Sequence, residues 1–265
     1  MHDAVRVLRI SVGSLLNLHQ TNLSWKLSLV EKGLATPSLL DTYTTERTPV
    51  VAEMLKMSSE LFVNFVKAKA IPADREAAWQ RGEALRQLNV HCRWSPIVLD
   101  ERSPKDIAPV DPYGRQHSPA DIVRAGERAP DAPGLDVLLA AEDATASQQT
   151  TSLFNIFKVS HHTVLIFADG TDKVAGVTSA LKAYPAELLR IVFICTNVSD
   201  SYASPGIGFL SVYDRDGHAH EGYHVQKGNL TVVIVRPDGI IGGIVFGEDG
   251  VKRYFDKVLG TMGTR

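Results

Sequence analysis

Cysteine is scarce: Cys92 and Cys195 are the two cysteines in 265 residues, far apart and without a Cys-x-x-Cys or Cys/His spacing. That argues against a disulfide framework or a zinc site and fits a reducing cytoplasm. Excess charge of either sign is missing as well, because 28 Lys and Arg face 30 Asp and Glu, for a net charge of -2. This balance excludes a generally basic nucleic-acid binder and shows no anionic membrane partner. No apolar run approaches the length of a bilayer span. Met1–Val7 lacks the basic region, apolar stretch and small-residue cleavage site of a secretory leader, so a cytoplasmic chain is expected. Internal repeats and low-complexity tracts are absent. What remains, 44% apolar and 22% charged, is the composition of a globular protein with a core.

The first hundred residues read as mainly helical. Leu15, Leu16, Leu18, Leu23, Leu27 and Val30 recur at three- and four-residue intervals until Gly33, a C-terminal stop. Thr36-Pro37-Ser38 opens a short second helix through Leu39, Leu40 and Tyr43. Thr48-Pro49 has the form of an N-cap with proline at the first helical position, and so predicts a new helix. Val51, Leu55, Leu61, Phe62, Phe65 and Val66 can line the buried face of this long helix. Pro72 ends it, and a more polar helix is expected from Glu76 to Leu88. Between Ser95 and Pro133 seven prolines interrupt any long element, leaving Ile97-Val98-Leu99 as a short strand.

The second half alternates strand and helix patterns. Apolar runs at 163–168, 190–195 and 230–235 predict strands, and Val174 to Tyr184 has helical spacing. Arg236-Pro237-Asp238-Gly239 turns the third strand into Ile240–Val245 as a hairpin, and Val251 to Leu259 closes as a helix. Strand, helix, strand, link, hairpin and helix is the order of a thioredoxin-like α/β layer. His161-His162 point to opposite faces of a strand and so do not share a metal. His218, His220 and His224 have no acidic third ligand at a telling offset and read as surface histidines. No catalytic triad or nucleophile elbow is present. Cys195 reads as a small buried hydrophobe without a resolving thiol.

Several segments carry a resemblance. Leu16-Asn17-Leu18-His19-Gln20-Thr21-Asn22-Leu23-Ser24-Trp25-Lys26-Leu27, Leu39-Leu40-Asp41-Thr42-Tyr43, Glu46-Arg47-Thr48-Pro49 and Val235-Arg236-Pro237-Asp238-Gly239 resemble the C-terminal part of FAD-dependent aromatic monooxygenases of the phenol hydroxylase type. The resemblance implies an α/β chain: a helical remnant of the flavin-monooxygenase domain (1–100), a linker (101–120) and a thioredoxin-like dimerisation domain (121–265). In complete relatives, FAD reduced by NADPH captures oxygen, and one oxygen atom passes to an aromatic ring. Asp3 and Asn17 are the implied flavin-binding residues, within a complete flavin domain.

The departures matter equally. The G-x-G-x-x-G turn that seats a dinucleotide pyrophosphate is absent, and Gly206-Ile207-Gly208 does not supply it. Val12-Gly13-Ser14-Leu15 stands where the family has a Gly-Gly-Gln-Gly turn. The stretch from Asn17 to Asn22 is roughly three residues short, which rotates a helix by most of one turn. The expected product is therefore a fragment or truncated relative that is not catalytic alone, with no catalytic or metal-binding residues assigned. The alternative is a non-catalytic thioredoxin-like interaction module, with a homodimer formed through the C-terminal domain. Asn17 and Asn22 either contact a flavin or hydrogen-bond helix ends, the latter being favoured, and Trp25 is expected in helix packing. Leu23, Leu27, Leu55 and Phe62 should be left as an exposed apolar patch, having no flavin-domain sheet to cover them.

Overall fold

The computed structural model describes residues 20–68, 89–103, 108–109, 111–114, 122–140, 149–168, 172–198 and 209–260. Asp3, Asn17 and the helix expected over 76–88 lie outside them. Helix α1 covers residues 20–31. It ends as read from Gly33: at φ 67° this glycine lets Leu34 N donate to Leu29 O, while its own N–H donates to Val30 O.

Helix α2 runs unbroken from Ser38–Ala68 with Pro49 inside it, so the boundary expected at Thr48-Pro49 is not there. Proline removes the N–H that would bond the carbonyl of Thr45. Trp94 Nε1 takes its place, donating to Thr45 O at 2.9 Å. The buried stripe of α2 is Val50, Met54 and Met57 rather than Val51, Leu55 and Phe62. Leu55 and Phe62 are exposed, as are Leu23 and Leu27 on α1, which agrees with the expected patch.

The sheet has eight strands, β1 (Leu99–Asp100), β2 (Leu135–Ala140), β3 (Thr150–Thr151), β4 (His162–Phe167), β5 (Leu189–Cys195), β6 (Phe209–Asp214), β7 (Thr231–Val235) and β8 (Ile241–Val245). Their order is β1-β8-β7-β4-β5-β6-β2-β3. Within it, β4 and β5 are parallel, β7 is antiparallel to β4, and β8 is antiparallel to β7. With α4 (Asp172–Leu181) joining β4 to β5 and α6 (Glu248–Leu259) following the hairpin, this is the thioredoxin-like arrangement. Two short helices, α3 (Leu153–Ile156) and α5 (His218–Gly222), complete the order. Of the strand expected at 97–99, Leu99 alone lies in β1, where Leu99 and Asp100 pair with Gly243 and Ile244.

Strand alternation sends neighbouring residues to opposite faces. Val164 and Ile166 join α4, α6, Trp25 and Leu29 in one apolar cluster; Leu165 and Phe167 join Val50, Met54, Trp94 and Tyr113 in the other. The central strand β4 is buried along its whole length, so its sequence is continuously apolar after His162-Thr163. No described helix is long and apolar enough to cross a membrane.

Gly126 holds the loop over this sheet in place. It has φ 94°, its N–H donates to Ile241 O, its carbonyl accepts from Cys92 N, and a Cβ there would lie 2.6 Å from Arg93 Cα. Gly126→Ala should lower the urea unfolding free energy by about 2–4 kcal/mol, because strained φ and a backbone clash add. Gly33→Ala, with open space around it, should cost about 1 kcal/mol.

Candidate functional site

The most densely bonded polar feature is buried between the two helices and the β7–β8 turn. Its centre is Glu46 on α2. Arg236, at the end of β7, grips it with both arms, Nη1 to Oε1 at 2.9 Å and Nη2 to Oε2 at 3.0 Å. Lys26 donates to Oε2 at 2.9 Å, Asn22 Nδ2 to Oε2 at 2.7 Å, and Ser95 Oγ to Oε1 at 2.6 Å. The side chains of Lys26, Glu46 and Arg236 are all fully buried.

Asp238 forms the second pole. The turn that contains it closes by Gly239 N donating to Arg236 O, with Gly239 at φ 77°. This aims the Asp238 carboxylate back at Arg236, with contacts of 3.0 Å from Nε and 2.5 Å from Nη2. Asn22 Nδ2 and Trp25 Nε1 also donate to Asp238 Oδ2, at 2.8 and 3.3 Å. The Trp25 ring lies 5.3 Å from the Arg236 guanidinium carbon and 5.6 Å from Lys26 Nζ, within cation–π range.

Charge placement sets the protonation states. Burial would push the Glu46 carboxyl up, but Arg236 and Lys26 outweigh it and hold Glu46 far below the usual carboxylate range. Asp238 is likewise lowered, burial being overcome by Arg236. Burial lowers Lys26 and Arg47, and it raises the Cys92 thiol to about 12, keeping it neutral. His162, enclosed by Trp25, Tyr254 and Phe255, is pushed down to about 3 by burial and then by Arg236.

Several residues read from the sequence therefore have other roles. The Asn22 side-chain amide bridges Glu46 and Asp238 rather than capping a helix end. Trp25 packs as expected and also donates a hydrogen bond. His220 is not a surface residue: it is buried, with Nδ1 2.8 Å from Asp214 Oδ2. Cys195 is buried as expected, its Sγ 3.4 Å from Val212 O, and Cys92 is buried and free. Among the described residues no group of three His, Cys, Asp or Glu is placed to hold a metal. The roles of Glu46 and Arg236 were not legible beforehand, since 190 residues separate them.

A half-removed buried ion pair leaves an uncompensated charge, so Glu46→Gln and Arg236→Met should each cost about 3–5 kcal/mol. The pH dependence has two windows. Glu46 and Asp238 are lowered in the fold, so their stabilisation is complete above about pH 4, the unfolded carboxylate value, and is lost below it. His162 is neutral in the fold but takes up a proton near pH 6.5 when unfolded. Its contribution is complete above that value and drains as pH falls toward about 3, by at most about 1.4 kcal/mol per unit. Urea midpoints should show His162→Phe flattening the upper window and Glu46→Gln flattening the lower one.

Comparisons with known proteins place this network. A family model described as an FAD binding domain matches residues 3–58, which include Asn22, Trp25, Lys26, Glu46 and Arg47. A flavin-dependent monooxygenase of Mycobacteroides abscessus is 32% identical over 239 residues, 90% of this chain and 34% of that protein. The pentachlorophenol 4-monooxygenase of Sphingobium chlorophenolicum is 60% identical over 35 residues, 13% of this chain and 6% of that enzyme. The crystal structure of the flavin-dependent monooxygenase PieE, in complex with FAD and substrate, superposes with a TM-score of 0.62 at 20% identity, covering 91% of this chain and 43% of that one. The chain thus spans about a third of the first of these relatives. The Asn22, Trp25, Lys26 and Glu46 side chains point into the Arg236 cluster, so these matched residues do not fit a flavin. Over nearly its whole length the chain is thus similar to part of a flavin-dependent monooxygenase, and it shares the fold of a solved one.

Proposed function

We propose that this chain is the C-terminal share of an FAD- and NADPH-dependent aromatic ring hydroxylase and that it does not hydroxylate alone. The observation carrying this reading is the Glu46–Arg236 cluster. It joins the segment matched by the FAD-binding model to the turn of the thioredoxin-like sheet, and its matched side chains are occupied by that union. The cluster's work is docking: it orients the sheet on the helices that continue the flavin-binding part. FAD supplies the redox chemistry when that part is complete. The proposed division is a helical flavin-domain segment over 1–100, a linker over 101–120 and a thioredoxin-like domain over 121–265, in a cytoplasmic protein.

A second reading is a non-catalytic interaction module that forms a homodimer through the 121–265 region. Phe154 and Val159, 55% and 75% exposed beside the sheet, favour it.

After incubation of the purified chain with FAD and gel filtration, the visible spectrum should show no stoichiometric flavin, and phenol should not stimulate NADPH oxidation. Flavin retained at one equivalent would overturn the non-catalytic reading. A concentration-dependent dimer in sedimentation velocity, weakened by Phe154→Ser, would favour the interaction module.

A further inference from the structure

A cleft of about 610 Å³ opens at the edge of the sheet where β1 and β8, a parallel pair, reach their carboxyl ends. In open α/β sheets the crevice outside the carboxyl ends is where ligands bind. Nothing in the ion cluster or the flavin match uses this cleft. We propose that it binds an organic oxyanion, an aromatic or acyl body carrying a carboxylate or phosphate.

The first reason is charge. Arg93, Arg102 and Arg124 line the cleft, against Glu127 as its one lining carboxylate among the described residues. The guanidinium fork matches the two oxygens of a carboxylate or phosphate.

The second reason is that the arginine-bearing backbone is built in place before any ligand arrives. Asp100 accepts the backbone N–H of Arg102 at 2.9 Å and of Ala125 at 2.8 Å. Arg102 then donates from Nη1 to Tyr223 O at 2.9 Å and from Nη2 to Val123 O at 2.6 Å. These two acceptors are neutral carbonyls, and the one carboxylate paired with Arg102 among the described residues is Asp100, at 3.8 Å from Nε, so three arginines face the two carboxylates Asp100 and Glu127. Glu127 joins the other two arginines, accepting Arg93 Nη1 at 3.2 Å and the Arg124 N–H at 3.1 Å. Gly126, whose missing Cβ lets this loop meet the Arg93 backbone, completes the frame. Preorganisation of this kind removes much of the entropic cost of binding.

The third reason is the rim. Ile122 and Phe246 are 54% and 51% exposed on the same cleft, an apolar surface that inorganic phosphate would leave uncovered.

The test is calorimetric titration of the full chain at low salt with phenyl phosphate, benzoate and inorganic phosphate. At least one of the two organic anions should bind, and the tighter one identifies the head group. Inorganic phosphate should bind at least about tenfold more weakly, for want of the apolar contact. Arg102→Met and Arg124→Gln should each weaken binding by about tenfold or more. Lys32→Gln, in a separate cleft beside Trp25, should leave it unchanged. Because Arg102→Met could unfold the loop, amide shift mapping on the unmodified chain gives a second readout: the organic anion should shift Ile122, Arg124 and Phe246. The proposal is overturned if neither organic anion binds below about 1 mM. It is equally overturned if binding survives the Arg124 change intact or the shifts fall elsewhere. Inorganic phosphate binding as tightly as phenyl phosphate overturns the organic body.

Discussion

The union of Glu46 with Arg236 is the contact on which the arrangement of helices and sheet depends. Both charges are fully buried, so each would carry a large desolvation penalty without the other. The penalty is offset by saturation: Glu46 accepts from Arg236, Lys26, Asn22 and Ser95, while Arg236 is shared between Glu46 and Asp238. A cluster of this kind contributes less net stability than its contacts suggest. What it supplies is register, because a guanidinium gripped at both arms tolerates little rotation or slide. Helices α1 and α2 are thereby fixed against the β7–β8 turn.

Around that anchor, the two faces of the sheet are covered by different means. One face is closed by α4 and α6, local partners in the chain, together with Trp25 and Leu29 from α1. The other takes Val50, Met54 and Met57 of α2 with Trp94 and Tyr113. Pro49 does not break α2, since Trp94 replaces the lost backbone donor and Tyr113 Oη adds a bond to Val50 O at 3.2 Å. The same residues thus fill the core and repair the helix. Beyond Met57, Phe62, Val63 and Val66 are exposed.

The matched segment and the cluster bear on each other. Residues that the FAD-binding model claims are here engaged with a turn from the far end of the chain. The segment thereby seats the thioredoxin-like layer on the helices. In the thioredoxin-like layer Cys195 is sealed within β5 beside the Val212 carbonyl.

Much of the second half was readable from order and periodicity alone. Continuous apolar runs marked β4, β5 and β7, Pro237-Asp238-Gly239 marked the hairpin, and Gly33 marked the end of α1, because each is a local demand of backbone and burial. The strands β2 and β6 escaped that reading, because Leu135–Ala140 and Phe209–Asp214 carry polar residues and pair with each other across a long separation. The α2 face was misjudged by one position, since its partners Trp94 and Tyr113 are not neighbours in sequence. Asn22, Trp25, Lys26, Glu46 and the Arg236 turn were visible as motifs, yet nothing local told that they meet. Local propensity determined the elements. Long-range electrostatics, acting only once those elements had been packed out of water, decided that a carboxylate on α2 would find its partner 190 residues away.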